Sequence, residues 1–329
     1  MSSTTPLVDK QFAQRLQVLA VTKYMFIFLI SPFLSLALTV YLLLYTRLWW
    51  LMSLYLVWLY FDWDIGRTWY RDHWIWKRMR DYFPVDLVKT ADLPSNKNYV
   101  FCCHPHGLLS VSTFVNFCTN ANRFDEKFPG LQPYPATLAG QFYFPFRREI
   151  IIALGVIAAS VRGIEKIIKR PGGGNVVCLV VGGAEEALDS HEGDYSLYIN
   201  KRKGFVRLAI QNGASLVPVY SFGENDAFHQ LDNHKGSRLR QFQSEFKKRI
   251  GLSPVLFYGT GILSKYGILP YRKRLSTVVG APIHLEKNPN PTQEEIDVIH
   301  AKYVAKLVEL FEAHKHKYNI KGDAHLVLN

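Results

Sequence analysis

Two histidines close the run Asn98-Tyr99-Val100-Phe101-Cys102-Cys103-His104-Pro105-His106-Gly107, and imidazole is the side chain best suited to accept a proton near pH 7. Residues 99–103 are apolar, β-branched or aromatic, and Leu93-Pro94-Ser95-Asn96 bounds them upstream, so they read as a buried strand. His104 to Gly107 is then its exit. Pro105 has no N–H to give a ladder and Gly107 permits a tight turn, which sets both histidines on a stiff corner. Open α/β sheets bind ligands at such edges. The chemistry on offer is general-base catalysis, because an ordinary pKa of about 6.5 keeps the neutral ring abundant. Chemistry alone does not rank His104 against His106, and a hydrogen-bonded core histidine is the plainer reading of either. Two rivals use the same run: Cys103 as a nucleophile, or a metal held by Cys102, Cys103, His104 and His106. An apolar strand is a poor setting for a reactive thiol, and alternating side chains give no tetrahedral spacing, so no metal is expected.

The elements that position this corner follow from the rest of the chain. Residues 175–181 are Val-rich and run into Gly182-Gly183, with Glu185 and Glu186 just beyond; this is the pattern of a central parallel strand reaching its carboxyl end. Residues 215–219 read as a third strand, followed by Gly223-Glu224-Asn225. Three strand ends thus converge on one edge of an α/β sheet. Helices are expected over 108–118, 150–159 and 203–212, and another strand over 275–279. A last helix starts at Thr292, where Thr-Gln-Glu-Glu forms a capping box, and its stripe of Ile296, Ile299, Tyr303, Leu307, Leu310 and Phe311 reads as core packing. There is no internal repeat.

The N-terminal part has another character. No charge occurs from residue 24 to 46, about 23 positions, enough to cross a hydrocarbon layer of roughly 30 Å at about 1.5 Å per residue. A signal peptide would have a shorter apolar region ending in small residues, whereas this run continues into Leu48, Trp49 and Trp50. Residues 48–61 form a second, shorter apolar run. Together they predict either a membrane hairpin or one span plus an interfacial helix. Lys10, Arg15 and Lys23 precede the hairpin and Arg67, Arg71, Lys77, Arg78 and Arg80 follow it, so both ends are expected on the cytosolic side. The expected division is a tail over 1–17, a membrane-embedded hairpin over 18–64 and a cytosol-facing domain over 65–329. Aromatic and basic residues alternate over 64–89, which suits a headgroup layer better than nucleic acid. Residues 251–263 read as a substrate-lining loop or a shallow membrane contact.

Composition agrees: 48% hydrophobic and 14% aromatic residues are rich for a freely soluble protein, and a formal charge of +12 asks for anionic company. Four cysteines, two of them adjacent, suit a reducing compartment.

The His104-Pro105-His106-Gly107 tetrapeptide resembles the signature of the diacylglycerol O-acyltransferase type 2 family, which also holds monoacylglycerol and wax-alcohol acyltransferases. Further blocks similar to that family follow in order: Tyr82-Phe83-Pro84; residues 181–188, Val-Gly-Gly-Ala-Glu-Glu-Ala-Leu; Arg202-Lys203-Gly204-Phe205; Pro218-Val219; and Phe222-Gly223-Glu224-Asn225. With their spacings they cover roughly residues 60 to 320. The resemblance implies a mixed, mostly parallel sheet flanked by helices, with an N-terminal membrane hairpin. It implies transfer of an acyl chain from fatty acyl-CoA to diacylglycerol, with monoacylglycerol or a fatty alcohol as alternative acceptors. It favours His106 as the base, leaving His104 to orient the turn. Related glycerophosphate acyltransferases carry an Asp five positions after their His, but here those positions are Leu109 and Val111. An orienting carboxylate is therefore sought in Glu186, with Glu185 as confounder, Glu224 as a weaker option, and helix capping as the structural alternative for the pair. Backbone N–H groups of Gly107, Gly182 and Gly183 are the expected oxyanion donors. Arg147, Arg148, Arg202 and Lys203 are the expected partners of coenzyme A phosphates, unless they face the leaflet. No cofactor is expected beyond acyl-CoA as co-substrate, and no nucleic acid. The implied setting is the endoplasmic reticulum membrane, with lipid droplets as a second site; homo-oligomerisation stays open, and a non-enzymatic lipid-binding protein is the other class.

Overall fold

Seven short, largely buried runs pair into one sheet in the computed structural model, which describes residues 5–62, 67–250, 253–262 and 264–329. The strands are β1 (Val85–Lys89), β2 (Tyr99–His104), β3 (Gln132–Thr137), β4 (Ile157–Ala158), β5 (Asn175–Val180), β6 (Ser215–Phe222) and β7 (Leu275–Val279). Their order is β1-β7-β6-β2-β5-β3-β4. Strands β2 to β6 run parallel; β7 is antiparallel to β6 and carries β1 parallel to itself at the edge. This is the mixed, mostly parallel sheet expected. Every residue of β2 and of β6 is buried, the mark of central strands covered on both faces.

The two faces follow from the period of two along a strand. Val100 and Cys102 of β2 pack in a cluster with α6 (Val161–Ile168), α8 (Gly204–Asn212) and α10 (Gln293–His314), while Tyr99, Phe101 and Cys103 pack with Phe117, Phe124 and Phe128. Thr292 caps α10 by accepting the Glu295 N–H at 3.2 Å, as its sequence required. Helix α5 (Arg147–Ala153) ends sooner than expected: Gly155, at φ +83°, turns the chain, and Ile157–Ala158 joins the sheet as β4 rather than continuing a helix over 150–159. The chain after the histidine corner makes a turn of helix at Val111–Thr113 that widens into a π-helical turn at Phe114–Cys118.

Three helices precede the sheet: α1 (Thr5–Met25), α2 (Ser31–Tyr45) and α3 (Trp49–Phe61). The expected tail over 1–17 is helical from Thr5 onward. Its composition hid this, because the residues that anchor α1 lie at its far end: Ala20, Val21, Tyr24 and Met25 are buried in one cluster with Trp76 and Met79 of α4 (Ile75–Tyr82) and with Phe114. Through a π-turn at Phe26–Ile30, α1 runs on into α2, and Asp9–Tyr45 is long and apolar enough to cross a membrane by length and composition. Helix α3 is shorter and folds back on α2. Phe33, Leu44, Tyr45, Trp49, Leu54 and Phe61 all lie exposed on this pair. The expected boundary at residue 64, and residues 251, 252 and 263 of the apolar 251–263 segment, lie outside the described residues. Of the aromatic-basic stretch, Trp69 and Trp74 are exposed, but Trp76 and Arg71 belong to the interior; Arg71 donates to the carbonyls of Phe117 and Pro133, both at 2.8 Å.

Candidate active site

The carboxyl ends of β2, β5 and β6 lie side by side, so the turns that leave them share one edge. His104, the last residue of β2, is paired with Tyr220 of β6. Its ring follows the even-numbered side chains into the helix layer, where Nε2 lies 3.0 Å from the Tyr303 hydroxyl of α10. It is fully buried, and desolvation pushes its pKa down to about 3. His104 is thus a neutral packing residue. Tyr303 was legible as one of a core stripe but not as this partner, although a buried tyrosine hydroxyl asks for one.

His106 differs. Its ring is partly exposed, and Nδ1 lies 2.8 Å from the Gly107 carbonyl. A carbonyl only accepts, so Nδ1 carries the proton and Nε2 keeps a lone pair. Burial lowers the pKa below the ordinary value, with the Gly107 bond opposing it. The turn thus holds the neutral ring in one tautomer, with Nε2 able to accept a hydrogen bond.

Glu186, on the short helix α7 (Gly183–Leu188) after β5, does not touch that ring. Its Oε2 accepts the backbone N–H of His106 at 2.8 Å and its Oε1 accepts the backbone N–H of Tyr198 at 2.9 Å. The expected role of orienting the imidazole directly is corrected: this carboxyl clamps the main chain that carries it. Gly182 makes the space, since a Cβ there would lie within 2.3 Å of three Glu186 carboxyl atoms. Desolvation lifts the Glu186 pKa to about 7, against its two N–H donors and the Arg202 charge. Glu185 points elsewhere and pairs with Lys247.

Glu224 opens the loop after β6 and supports the corner from behind. It accepts the N–H groups of Val111 at 2.7 Å and Ser112 at 2.8 Å, the first turn of the helix that follows the histidines. Gly107 has φ +60°, and a Cβ there would meet Glu224 Cγ at 2.5 Å, so glycine is demanded twice. Asn225 bonds Ser190 at 3.0 Å and the Asp194 carbonyl at 2.8 Å, tying the loops beyond β5 and β6 together. Tyr82 and Phe83 are buried in one cluster with Leu108 and Val111, the Tyr82 hydroxyl donating to the Pro270 carbonyl at 2.7 Å, while Pro84 is exposed where α4 gives way to β1.

The four cations assigned to coenzyme phosphates separate. Arg147 and Arg148 are buried. Arg147 donates to the Ile27 carbonyl at 2.9 Å and the Gln141 carbonyl at 3.0 Å, and burial lowers its pKa to about 10. Arg148 pairs with Glu149 at 2.7 Å and Asp62 at 3.5 Å, over the Trp58 ring. These arginines bind the N-terminal helices to the domain; the expectation that they meet phosphates is corrected. The Ile27 carbonyl and Asp62 lie far in sequence from the Arg pair, which is why the pair reads as solvated. Arg147→Gln is expected to destabilise the folded protein by about 2–3 kcal/mol and to leave the KM for an acyl donor unchanged, as scanning fluorimetry and initial rates would measure. Lys203 pairs with Asp297 at 2.7 Å. Arg202 is exposed, donates to the Gly182 carbonyl at 3.3 Å, and alone of the four stays beside the site.

A mostly parallel α/β sheet thus gathers an imidazole, a buried carboxyl and glycine turns at the carboxyl ends of its central strands. The chain belongs to the diacylglycerol acyltransferase family, whose model matches residues 41–329. It is 46% identical to human 2-acylglycerol O-acyltransferase 3, over 92% of this chain and 91% of that protein. It is 44% identical to bovine 2-acylglycerol O-acyltransferase 1, over 96% of both, and 41% identical to human diacylglycerol O-acyltransferase 2, over 99% of this chain and 86% of that one. A 1-acyl-sn-glycerophosphate acyltransferase from Thermotoga maritima, PlsC, aligns over 84% of this chain and 97% of its own at 13% identity, with a TM-score of 0.38, too distant to carry an argument. The protein is an acyltransferase of lipid biosynthesis, acting on an acyl donor and a lipid acceptor.

Proposed function

We propose that this protein is a membrane-bound, acyl-CoA-dependent O-acyltransferase that esterifies diacylglycerol to triacylglycerol, with His106 as general base. The observation that carries the base assignment is the hydrogen bond from Nδ1 to the Gly107 carbonyl, which leaves Nε2 free to accept. Nε2 removes the acceptor's hydroxyl proton as its oxygen attacks the thioester carbonyl; collapse of the tetrahedral intermediate breaks the C–S bond, and the proton passes to the departing thiolate. Backbone N–H groups of Gly107 and Gly182-Gly183 are the candidate donors to the oxyanion. No further cofactor enters this scheme. Asp9–Tyr45 enters the bilayer and α3 returns along it, with Trp49, Trp50 and Trp58 near the headgroups. That arrangement keeps the sheet edge close to a lipid alcohol, in the endoplasmic reticulum membrane with both termini cytosolic.

A second reading has its own support: the 46% and 44% identities to 2-acylglycerol acyltransferases exceed the 41% to diacylglycerol O-acyltransferase 2, which favours a 2-acylglycerol acceptor. Purified protein given labelled acyl-CoA with diacylglycerol, 2-acylglycerol and a fatty alcohol in separate reactions decides between them. Triacylglycerol from diacylglycerol at the highest kcat/KM is the expected result; a clear preference for 2-acylglycerol would replace the first reading with the second.

A further inference from the structure

Displacing Arg147 and Arg148 from the surface leaves open which cations meet the polyanionic end of the acyl donor. A groove of about 490 Å³ lies on the side of Glu185 and Tyr198. Its other wall is α9 (Arg238–Ile250) with the residues just before it: Lys235, Arg240, Gln241, Ser244 and Lys248. This groove connects to the site through two bonds already described, because the Tyr198 N–H and the His106 N–H share the Glu186 carboxyl.

Its charges can be counted off. Arg240 is buried and held by Asp189 at 2.6 Å and the Leu188 carbonyl at 2.8 Å, so it shapes the groove. Glu185 is neutralised by Lys247, and Glu245 by Arg249 at 2.9 Å. Lys235 and Lys248 remain: both are exposed and neither has an anionic partner among the described residues. The Lys235 ammonium lies 5.9 Å from the centre of the Tyr198 ring. Gln241 and Ser244 add neutral polar groups along the same wall. Two unneutralised ammonium groups with polar neighbours suit a compact dianion rather than an extended one, since lysine meets phosphate as a point charge.

Resting on the acyl-CoA reading above, we infer that this groove holds the 3′-phosphate of the coenzyme, with Lys235 and Lys248 as its charged contacts. The thioester then lies at His106 and the nucleotide end on the far side of Tyr198. A phospholipid headgroup carries related phosphate chemistry, so the test separates the two sources.

The experiment compares the wild type with a Lys235→Gln/Lys248→Gln double variant, using acyl-CoA and the corresponding acyl-dephospho-CoA, which lacks that phosphate. Both lysines are exposed, so the variant should fold, and its thermal midpoint confirms it. Expected are a rise of about tenfold in KM for acyl-CoA, a kcat and a lipid-acceptor KM that hold, and a wild-type preference for acyl-CoA over the dephospho thioester that the variant loses. Equal KM values in the two proteins, or a wild type indifferent to the 3′-phosphate, would overturn the assignment. So would a loss confined to co-flotation with phosphatidylserine vesicles, which would give the lysines to the leaflet. A wild type that transfers from no CoA thioester, yet does transfer from another acyl donor, would remove the donor reading itself.

Discussion

A His106→Ala protein is expected to fold normally and to lose acyl transfer by about 10²- to 10⁴-fold in kcat, the usual contribution of a positioned base. The ring bonds the next residue's carbonyl and is partly exposed, so truncation disturbs little else. His104→Ala behaves differently. It empties a fully buried position, leaves the Tyr303 hydroxyl only the Cys102 carbonyl at 3.5 Å and costs about 2–4 kcal/mol of stability, visible as a lowered thermal midpoint. Cys103→Ala separates this base from a cysteine nucleophile. The thiol is buried and desolvation lifts its pKa to about 12, so the variant keeps most of its turnover. In wild type, kcat/KM should climb with pH through a midpoint below the ordinary imidazole value, because burial depresses the His106 pKa and only the neutral ring accepts a proton. An active His106→Ala together with an inactive Cys103→Ala would reverse the assignment.

The parts of this site that were legible in the chain are those fixed by local chemistry. Residues 99–103 had to be a buried strand, and the Pro and Gly after it had to make a corner. The Val-rich run before Gly182-Gly183 had to end beside it if the strands were parallel. What was not legible depends on which main-chain group a side chain meets. Glu186 and Glu185 are adjacent and chemically identical, yet one faces two backbone N–H groups and the other Lys247, because α7 turns them to different sides. The Arg147-Arg148 pair looks solvated until helices more than eighty residues upstream supply the Ile27 carbonyl and Asp62. Helix α1 was hidden for the converse reason. Its first half is polar, and the four residues that bind it to α4 sit in its last two turns.

Glu186 provides the second large effect, because it connects proton binding to the geometry of the corner. Its pKa of about 7, against an ordinary 4.5, means that the folded protein holds this proton more tightly than the unfolded chain does. The associated stability is complete below about pH 4.5 and is lost as pH rises to 7 and the buried carboxyl ionises, a change of about 3 kcal/mol. Glu186→Gln removes the titration. One of its two positions then presents an NH₂ group to a backbone N–H, as the protonated carboxyl presents its O–H, so the two proteins start about equally stable at acid pH. Thermal midpoints should therefore nearly coincide at about pH 4.5 and separate as pH rises to about 7.5, the wild type falling below the variant; parallel curves would mean that Glu186 titrates normally. Activity adds an independent readout. The ionised carboxyl accepts both N–H groups, whereas the protonated form turns a donor toward one of them. Loosening that clamp moves the main chain that carries the base, and a displacement of about 1 Å is enough to cost about 10²-fold. Glu186→Gln should accordingly lower kcat by about 10–10²-fold, short of the loss in His106→Ala, with the KM for acyl-CoA held. A Glu186→Gln protein with wild-type kcat at pH 7.5 would mean that the turn keeps its shape without the carboxylate.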